Sequence, residues 1–389
     1  MAVDSKLFEQ GIERENTGCV KWDMRSEVFG RADVIPLWIA DMDFAAPECV
    51  TDAIVRRASH GAFGYCCADP AEKQALADWM KKRHNTDITP DDILFSPGVV
   101  DSLVISLGAL GKAGDKVAVL TPVYGPFYKS ILKNNMEIVR CRLKNDNQRW
   151  TIDFDALEDA FRQGVKWMLL CNPHNPVGRV WTRSELETLV SLTRRYGVTI
   201  ISDEIHADLE MPGHKVTSIA ALEPKSVVLV SATKTFNLAA VRMSSVIIRD
   251  ADMRQKYADE YAARGVDGVN VFGRIAQRAA YEGGEEWLDA LLSYLAGTRD
   301  MVEAFLKAEL PKVTCAPLEG TYLMWLDFSY LGMEQEALRR MLIDEAGVGM
   351  GSGTDFGEEG TGFMRLNIAT PRENVMRALR QIADCLNKR

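Results

Sequence analysis

Short continuous apolar runs recur along the chain and are separated by stretches with helical periodicity. The runs occupy residues 117–120, 167–170, 198–201, 227–230 and 244–248. Continuous rather than alternating apolar runs are typical of strands covered on both faces. The stretch 183–195 follows Thr182 and has Glu185 in its first turn, which is the pattern of a helix capping box. This repetition of strand and helix predicts an α/β fold with a doubly wound, mainly parallel sheet.

The pattern changes near Gly283. A long helical pattern covers residues 285–310, strand patterns follow around 321–326 and 362–368, and a closing helix is predicted from Arg372. This order of helices and strands predicts a smaller α+β C-terminal domain. We therefore expect a large domain at residues 46–284 and a small domain at residues 285–389. Residues 1–45 are expected to form an N-terminal segment that packs with the small domain.

Composition and charge limit the classes of partner. The 389 residues, 47% hydrophobic and 26% charged, are typical of a globular protein of enzyme size. A formal net charge of -9 argues against nucleic acid or an anionic membrane as the main partner, because both attract basic surfaces. No apolar run has the length of a membrane span, and the N-terminal residues lack the apolar core of a secretion signal. The expected location is the cytoplasm.

Disulfide and metal chemistry receive no support from the cysteines and histidines. The eight cysteines form no CxxC pair, and we expect them to be reduced. The five histidines show no HExxH motif or other zinc-ligand spacing. We expect no metal site.

Polar and aromatic residues follow several of the predicted strands. In open α/β sheets, ligands bind beyond the carboxyl ends of the strands. The segments at these positions are 121–124, 171–176, 202–206 and 231–234. They are the first places to look for a site.

Glycine motifs for nucleotides are missing from these positions. The glycine cluster 349–353 lacks the βαβ context of a dinucleotide site, and we expect it to be a loop. The segment 111–113 fails the P-loop pattern at its hydroxyl position. Neither a nicotinamide cofactor nor nucleotide phosphate transfer is therefore supported.

An aldehyde cofactor with a pyridine ring and a phosphate fits these strand ends better. Such a cofactor needs a lysine for a Schiff base, a carboxylate for the ring nitrogen and several phosphate donors. Lys234 follows the apolar run 227–230, and burial there favours the neutral, nucleophilic amine. Asp203 follows the run 198–201 and is a candidate partner for the ring nitrogen, although helix caps and turns also use aspartate.

Several motifs, in order and spacing, resemble the fold-type-I pyridoxal 5′-phosphate (PLP) enzymes related to aspartate aminotransferase. They are SPGVVDSL, NPHNPVGR, DEIH, SATKTFNLAAVR and FMRLNIATP. The motifs PLWIADMDF, FGYC and FGEEGTGF are most similar to the cystathionine β-lyase or cysteine-conjugate carbon–sulfur lyase branch. The resemblance spans about residues 20–375 and implies the fold, the PLP cofactor and a homodimer with shared active sites.

The resemblance also implies roles for individual residues. Lys234 would form the Schiff base and act as the catalytic base, Asp203 would bind the pyridine nitrogen, and Arg365 would bind the substrate carboxylate. Asn175 and Tyr124 would contact both the cofactor ring and the substrate, and His206 would fix Asp203. The phosphate would be bound by the helix start at Gly98, Val99 and Val100, by Ser231, Thr233 and Arg242, and by Tyr65 of a second subunit.

Three functions remain open at this point. The first is β-elimination from an L-cysteine conjugate, which yields a thiol, pyruvate and ammonia. The second is an aminotransferase, which would use the same lysine, aspartate and arginine and which the cofactor contacts do not exclude. The third is a binding or regulatory protein that retains the fold, against which the intact set of Lys234, Asp203 and Arg365 argues.

Two segments depart from the branch pattern. Residues 66–70 are CCADP rather than aromatic or hydroxyl residues, and residues 239–241 are AAV where glycine is common. The first departure leaves the substrate side-chain pocket, and therefore the identity of the substrate, open.

Overall fold

The computed structural model describes residues 6–266 and 268–388. Residues 1–5 of the expected N-terminal segment, Asp267 and Arg389 lie outside the described residues. The α-helices are α1 (Lys6–Gln10), α2 (Val20–Asp23), α3 (Arg25–Phe29), α4 (Glu48–Ser59), α5 (Pro70–His84), α6 (Val99–Leu110), α7 (Pro126–Lys133), α8 (Phe154–Arg162), α9 (Arg183–Tyr196), α10 (Ala232–Thr235), α11 (Ala251–Ala263), α12 (Val271–Gly283), α13 (Glu285–Glu309), α14 (Gln335–Asp344) and α15 (Arg372–Leu386).

The strands belong to a larger sheet, a smaller sheet and a short hairpin. They are β1 (Ile35–Leu37), β2 (Ile93–Ser96), β3 (Lys116–Thr121), β4 (Glu137–Arg142), β5 (Lys144–Asp146), β6 (Arg149–Thr151), β7 (Val165–Cys171), β8 (Thr199–Asp203), β9 (Val227–Val230), β10 (Ser244–Ile247), β11 (Thr314–Cys315), β12 (Leu323–Asp327), β13 (Val348–Ser352) and β14 (Phe363–Asn367). Among the helices of the described residues, none is both long and apolar enough to cross a bilayer.

The larger sheet has the strand order β2-β10-β9-β8-β7-β3-β4. Strands β4, β3, β7, β8 and β9 are mutually parallel, whereas β10 is antiparallel to both of its neighbours. Consecutive residues of β8 point to opposite faces, so that Ile200 and Ile201 pack into different hydrophobic cores. Helices α6, α7 and α11 supply the core on one face, and α8 and α9 pack on the other. The expectation of a doubly wound, mainly parallel sheet is confirmed.

Helix α9 illustrates how local sequence sets an element boundary. The Thr182 hydroxyl accepts a hydrogen bond from the Glu185 amide at 3.2 Å, and the Glu185 carboxylate accepts one from the Thr182 amide at 2.8 Å. The helix ends at Gly197, whose φ of 65° is readily adopted by glycine. The predicted capping box is therefore present.

The smaller sheet has the order β1-β13-β14-β12-β11, so a strand from the N-terminal segment adds to strands from the C-terminal part. Strand β1 is parallel to β13, with Ile35 opposite Val348. The expectation that residues 349–353 form a loop is wrong, because most of them belong to the buried strand β13. Glycine is required there by packing, since a Cβ on Gly349 would approach the Phe29 ring to 2.5 Å.

The segment 38–44 is fixed by side chains from β14 and from the loop that follows α10. Asn367 of β14 donates to the carbonyls of Ile39 at 2.6 Å and Asp41 at 2.7 Å. Asn237 donates to the Met42 carbonyl at 2.9 Å. These bonds bring the backbone carbonyls of the segment to the ends of the strands in the larger sheet.

A buried ion pair anchors this segment to the N-terminal helices. Lys21 of α2 is fully buried, and its ammonium lies 2.8 Å from the Asp43 carboxylate. Arg14 pairs with Asp43 at 3.1 Å and with Asp41 at 2.9 Å. Although burial acts to raise the pKa of Asp43, the Lys21 charge and the hydrogen bonds from Lys21 and Trp22 together outweigh it and hold that pKa below its ordinary value. Asp43 therefore has two cationic partners, and removing Lys21 would leave it paired with Arg14.

Candidate active site

A cavity of about 190 Å³ lies at the carboxyl ends of the parallel strands. Strands β7 and β8 end in register, with Cys171 opposite Asp203, so the residues that follow them meet at one edge. The cavity is lined by seven of the residues expected from the sequence: Val99, Val100, Tyr124, Asn175, Asp203, His206 and Lys234. Residues from five separate parts of the chain therefore converge as the parallel topology requires.

Lys234 lies in the short helix α10, which directly follows β9. Its Nζ donates a hydrogen bond to the carbonyl of Ala40 at 2.6 Å. Burial lowers the pKa of Lys234 to about 8, with the charges of Asp41 and Asp203 opposing the shift and that of Arg365 adding to it. A lysine in this environment releases its proton far more readily than a surface lysine and can act as a nucleophile or a base.

Asp203 is the last residue of β8 and is buried. Its Oδ1 accepts a hydrogen bond from the Ile205 amide at 3.1 Å. Burial raises the pKa of Asp203 to about 7, against the opposing effects of the Ile205 amide and the Lys234 charge. A buried carboxyl with few donors is stabilised as the carboxylate by a cationic partner, such as a protonated ring nitrogen.

Arg365 of β14 reaches the same region from the smaller sheet. Its Nη1 donates to Asn175 Oδ1 at 3.1 Å, and its Nη2 donates to the Trp38 carbonyl at 2.8 Å. Its Nε is buried and has no hydrogen-bond partner among the residues that the structure describes. The guanidinium carbon lies 4.7 Å from the centroid of the Phe356 ring. Burial lowers the pKa of Arg365 to about 10, so the side chain is still a cation at neutral pH and has donor capacity left for an anion.

The first turn of α6 supplies backbone N–H groups at the cavity. Gly98 precedes the helix, and Val99 and Val100 begin it. The N-terminus of a helix attracts anions because its first amides have no intrahelical partner. Arg242 lies beside this turn and pairs with Asp101 at 3.2 Å, while remaining largely exposed.

Ser231 and Thr233 are both buried on the turn that carries Lys234. The Ser231 hydroxyl donates to the Met243 carbonyl at 2.6 Å and lies 2.8 Å from the Thr233 hydroxyl. Because the bond to Met243 uses the single proton of Ser231, the Thr233 hydroxyl is the donor in the contact between the two hydroxyls.

Tyr124 and His206 both line the cavity. Tyr124 is half-buried, and burial raises the pKa of its hydroxyl. His206 is buried, which lowers its pKa well below the ordinary value, and its Nδ1 has no partner among the described residues. The expected fixing of Asp203 by His206 does not appear as a hydrogen bond in the described part of the chain; the Ile205 amide performs that task.

Tyr65 is not brought to the cavity of its own chain. Its side chain is fully exposed, as is most of the segment 60–69 that carries it. Phe63 in the same segment is 63% exposed. Exposed aromatic residues of this kind are typical of a surface that another chain covers.

The sequence analysis missed three groups that contact the site residues. The Ala40 and Trp38 carbonyls accept from Lys234 and Arg365, and both belong to the motif PLWIADMDF. Tyr322 is fully buried, donates to the same Ala40 carbonyl at 3.0 Å, and packs its ring 6.0 Å from that of His206. Tyr322 lies within the strand pattern predicted at 321–326, and that pattern carries no signal for this contact.

Comparison with known protein families identifies the class of protein to which this fold and site belong. The model of the aminotransferase class I and II family matches residues 32–382, and the chain belongs to this family.

Particular relatives within the family are more informative. The chain is 41% identical to cystathionine β-lyase PatB of Bacillus subtilis over 98% of this chain and 100% of PatB. It is 34% identical to the protein MalY of Escherichia coli over 95% of each chain. Cystalysin from Treponema denticola, whose structure contains a pyridoxal 5′-phosphate cofactor, superposes with a TM-score of 0.95 at 32% identity and 98% coverage of each chain.

Proposed function

We propose that this chain is a PLP-dependent carbon–sulfur β-lyase that converts L-cysteine conjugates to a thiol, pyruvate and ammonia. The observation that carries the proposal is the placement of Lys234, with its pKa lowered to about 8, in one cavity with the buried Asp203. Arg365 lies within hydrogen-bond reach of Asn175, which lines the same cavity. The relatives named as lyases align over nearly the whole chain.

The groups in the cavity fit the three parts of PLP. Lys234 would hold the aldehyde carbon, Asp203 the pyridine nitrogen, and the amides of Val99 and Val100 the phosphate. The raised pKa of Asp203 and the free amides at the helix start are what such a ligand would satisfy. When bound, the cofactor supplies an electron-accepting ring that stabilises the negative charge left at the substrate Cα.

Residues of the chain bind the substrate and move the proton. Arg365 binds the substrate carboxylate through its unpartnered Nε and a second N–H, and Asn175 orients the guanidinium. The freed amine of Lys234 accepts the Cα proton, and with a pKa of about 8 roughly a tenth of it is neutral at pH 7. When the Lys234 amine is not bound to the cofactor, it donates a hydrogen bond to the Ala40 carbonyl. Departure of the thiolate from Cβ and hydrolysis give pyruvate and ammonia.

An aminotransferase would use the same lysine, aspartate and arginine, and would differ in where the proton is returned. A direct comparison separates the two activities. The purified protein is incubated with cystathionine, and separately with amino acids and a keto-acid acceptor. We expect catalytic release of thiol and pyruvate, and loss of that release in the Lys234→Ala variant. Acceptor-dependent amino transfer without thiol release would contradict the lyase proposal.

We also infer that two copies of the chain form a cytoplasmic homodimer in which Tyr65 of one copy reaches the phosphate of the other. The exposure of Tyr65 and Phe63 supports this arrangement. Co-expression of Lys234→Ala with Tyr65→Ala tests it, because a mixed dimer contains one site with both native residues. Random pairing predicts about a quarter of the native activity. A mixture no more active than its separate components would contradict shared sites.

A further inference from the structure

A buried cluster outside the cavity surrounds the carboxylate of Asp208. Its Oδ1 accepts hydrogen bonds from His84 Nε2 at 2.7 Å and from Trp79 Nε1 at 2.9 Å. Its Oδ2 accepts from the hydroxyl of Thr235 at 3.1 Å. All four side chains are buried. Thr235 directly follows Lys234 in the chain, so the cluster ends one residue from the amine of the site.

The donors stabilise Asp208 in its charged form. Burial acts to raise the pKa of Asp208, but the hydrogen bond and electrostatic attraction of His84, together with the hydrogen bonds from Trp79 and Thr235, outweigh it and hold the pKa below its ordinary value. Hydrogen bonds to a charged acceptor are stronger than those between neutral groups. The other ring nitrogen of His84, Nδ1, has no partner within the described residues, so the imidazole is oriented through its contact with Asp208.

The turn that carries Lys234 is thereby fixed from two sides. On one side, Ser231 donates to the Met243 carbonyl at 2.6 Å. On the other side, Thr235 is bound by Asp208, and Phe236 packs its ring 6.0 Å from that of Trp79. Helix α10 is a single turn, and its few internal hydrogen bonds cannot hold the direction of the Lys234 side chain alone.

We propose that Asp208 is a positioning residue that acts through Thr235 to aim Lys234 at the reacting carbon atoms. The proposal rests on the proposed function, because it assigns a task to Asp208 only if Lys234 is the reactive amine. Helix α5, which supplies both Trp79 and His84, then serves as the rigid support of the reactive turn. A small displacement of a reacting group can lower a rate by about a hundredfold.

The test removes the hydroxyl of Thr235 while keeping its shape. Thr235→Val deletes the bond to Asp208, Thr235→Ser retains it, and Asp208→Asn removes the charge. Thr193→Val is a matched control, because the buried Thr193 hydroxyl donates to the Val190 carbonyl at 3.0 Å on the outer helix α9. Each PLP-loaded variant is examined by absorbance titration of the bound cofactor between pH 5 and 9, by kcat and KM with cystathionine, and by thermal unfolding.

We expect Thr235→Val to lower kcat by about ten- to a hundredfold with a smaller change in KM. The titration midpoint of the cofactor should also shift, because a displaced Lys234 nitrogen lies at new distances from Asp203 and Arg365. Thr235→Ser should restore both properties, and Thr193→Val should change neither. A Thr235→Val protein with the native midpoint and native kcat would overturn the inference, even if Asp208→Asn fails to fold. Failure of the native protein itself to bind PLP would instead overturn the proposed function.

Discussion

Replacement of Arg365 by lysine tests how the site recognises its substrate. The guanidinium donates to Asn175 at 3.1 Å and to the Trp38 carbonyl at 2.8 Å, and its buried Nε has no partner among the described residues. Lysine keeps the positive charge but cannot present two parallel N–H groups to a carboxylate. The variant therefore separates the geometry of the side chain from its charge.

The expected loss follows from the hydrogen bonds that lysine cannot reproduce. One hydrogen bond to a charged group contributes about 1.5–3 kcal/mol, which corresponds to about a ten- to hundredfold loss in kcat/KM. Because the carboxylate is bound in both the ground state and the transition state, most of this loss should appear as a higher KM.

The assay compares two substrates. One is a cysteine conjugate with a free α-carboxylate, and the other is the same conjugate as its α-amide. Native protein should prefer the free acid strongly, and Arg365→Lys should lose most of that preference. Thermal unfolding of both proteins controls for the altered packing against Phe356, whose ring lies 4.7 Å from the guanidinium carbon. An unchanged preference for the free acid in a folded variant would refute the assignment of Arg365 to the carboxylate.

Three further predictions concern the amine, the N-terminal anchor and the smaller sheet. The rate at which PLP-free protein takes up the cofactor should rise with pH around a midpoint near 8. The reason is that the pKa of Lys234 is lowered to about 8 and only the neutral amine reacts. A midpoint above pH 10 would contradict the lowered pKa. Lys21→Met should lower the free energy of unfolding in urea by about 1.5–3 kcal/mol, because it removes one charged hydrogen-bond donor from the buried Asp43 carboxylate and leaves that carboxylate paired with Arg14. A change below about 1 kcal/mol would refute a tight pair between Lys21 and Asp43. Gly349→Ala should cost about 1–3 kcal/mol in the same assay because the new methyl group meets the Phe29 ring. An unchanged free energy of unfolding would contradict the packing argument.

The larger sheet could be predicted because parallel strands buried on both faces leave continuous apolar runs in the sequence. The same topology explains why Asp203 and Asn175 could be expected at one edge of the sheet from the sequence alone. Strand β13 could not be predicted, because its glycines resemble a turn. The requirement for glycine at position 349 comes from the Phe29 ring, which is distant in the chain.

Other parts of the site leave no local signal in the sequence. Lys234 and Arg365 donate hydrogen bonds to the backbone carbonyls of Ala40 and Trp38. The side chains of Ala40 and Trp38 give no indication of these contacts. The contact of Asp208 with Thr235 joins residues that are distant in the chain and meet through folding. The role expected for Tyr65 depends on a second chain and stays a prediction.

The most direct test of the account is to locate the amine that captures the cofactor. The protein is loaded with PLP, treated with borohydride, digested, and its peptides are mapped by mass spectrometry. We predict a stoichiometric pyridoxyl adduct on Lys234, in the peptide that contains SATKTF, and none on that peptide without the cofactor. A protein that acquires no adduct, or carries it on a different lysine, would contradict the central claim.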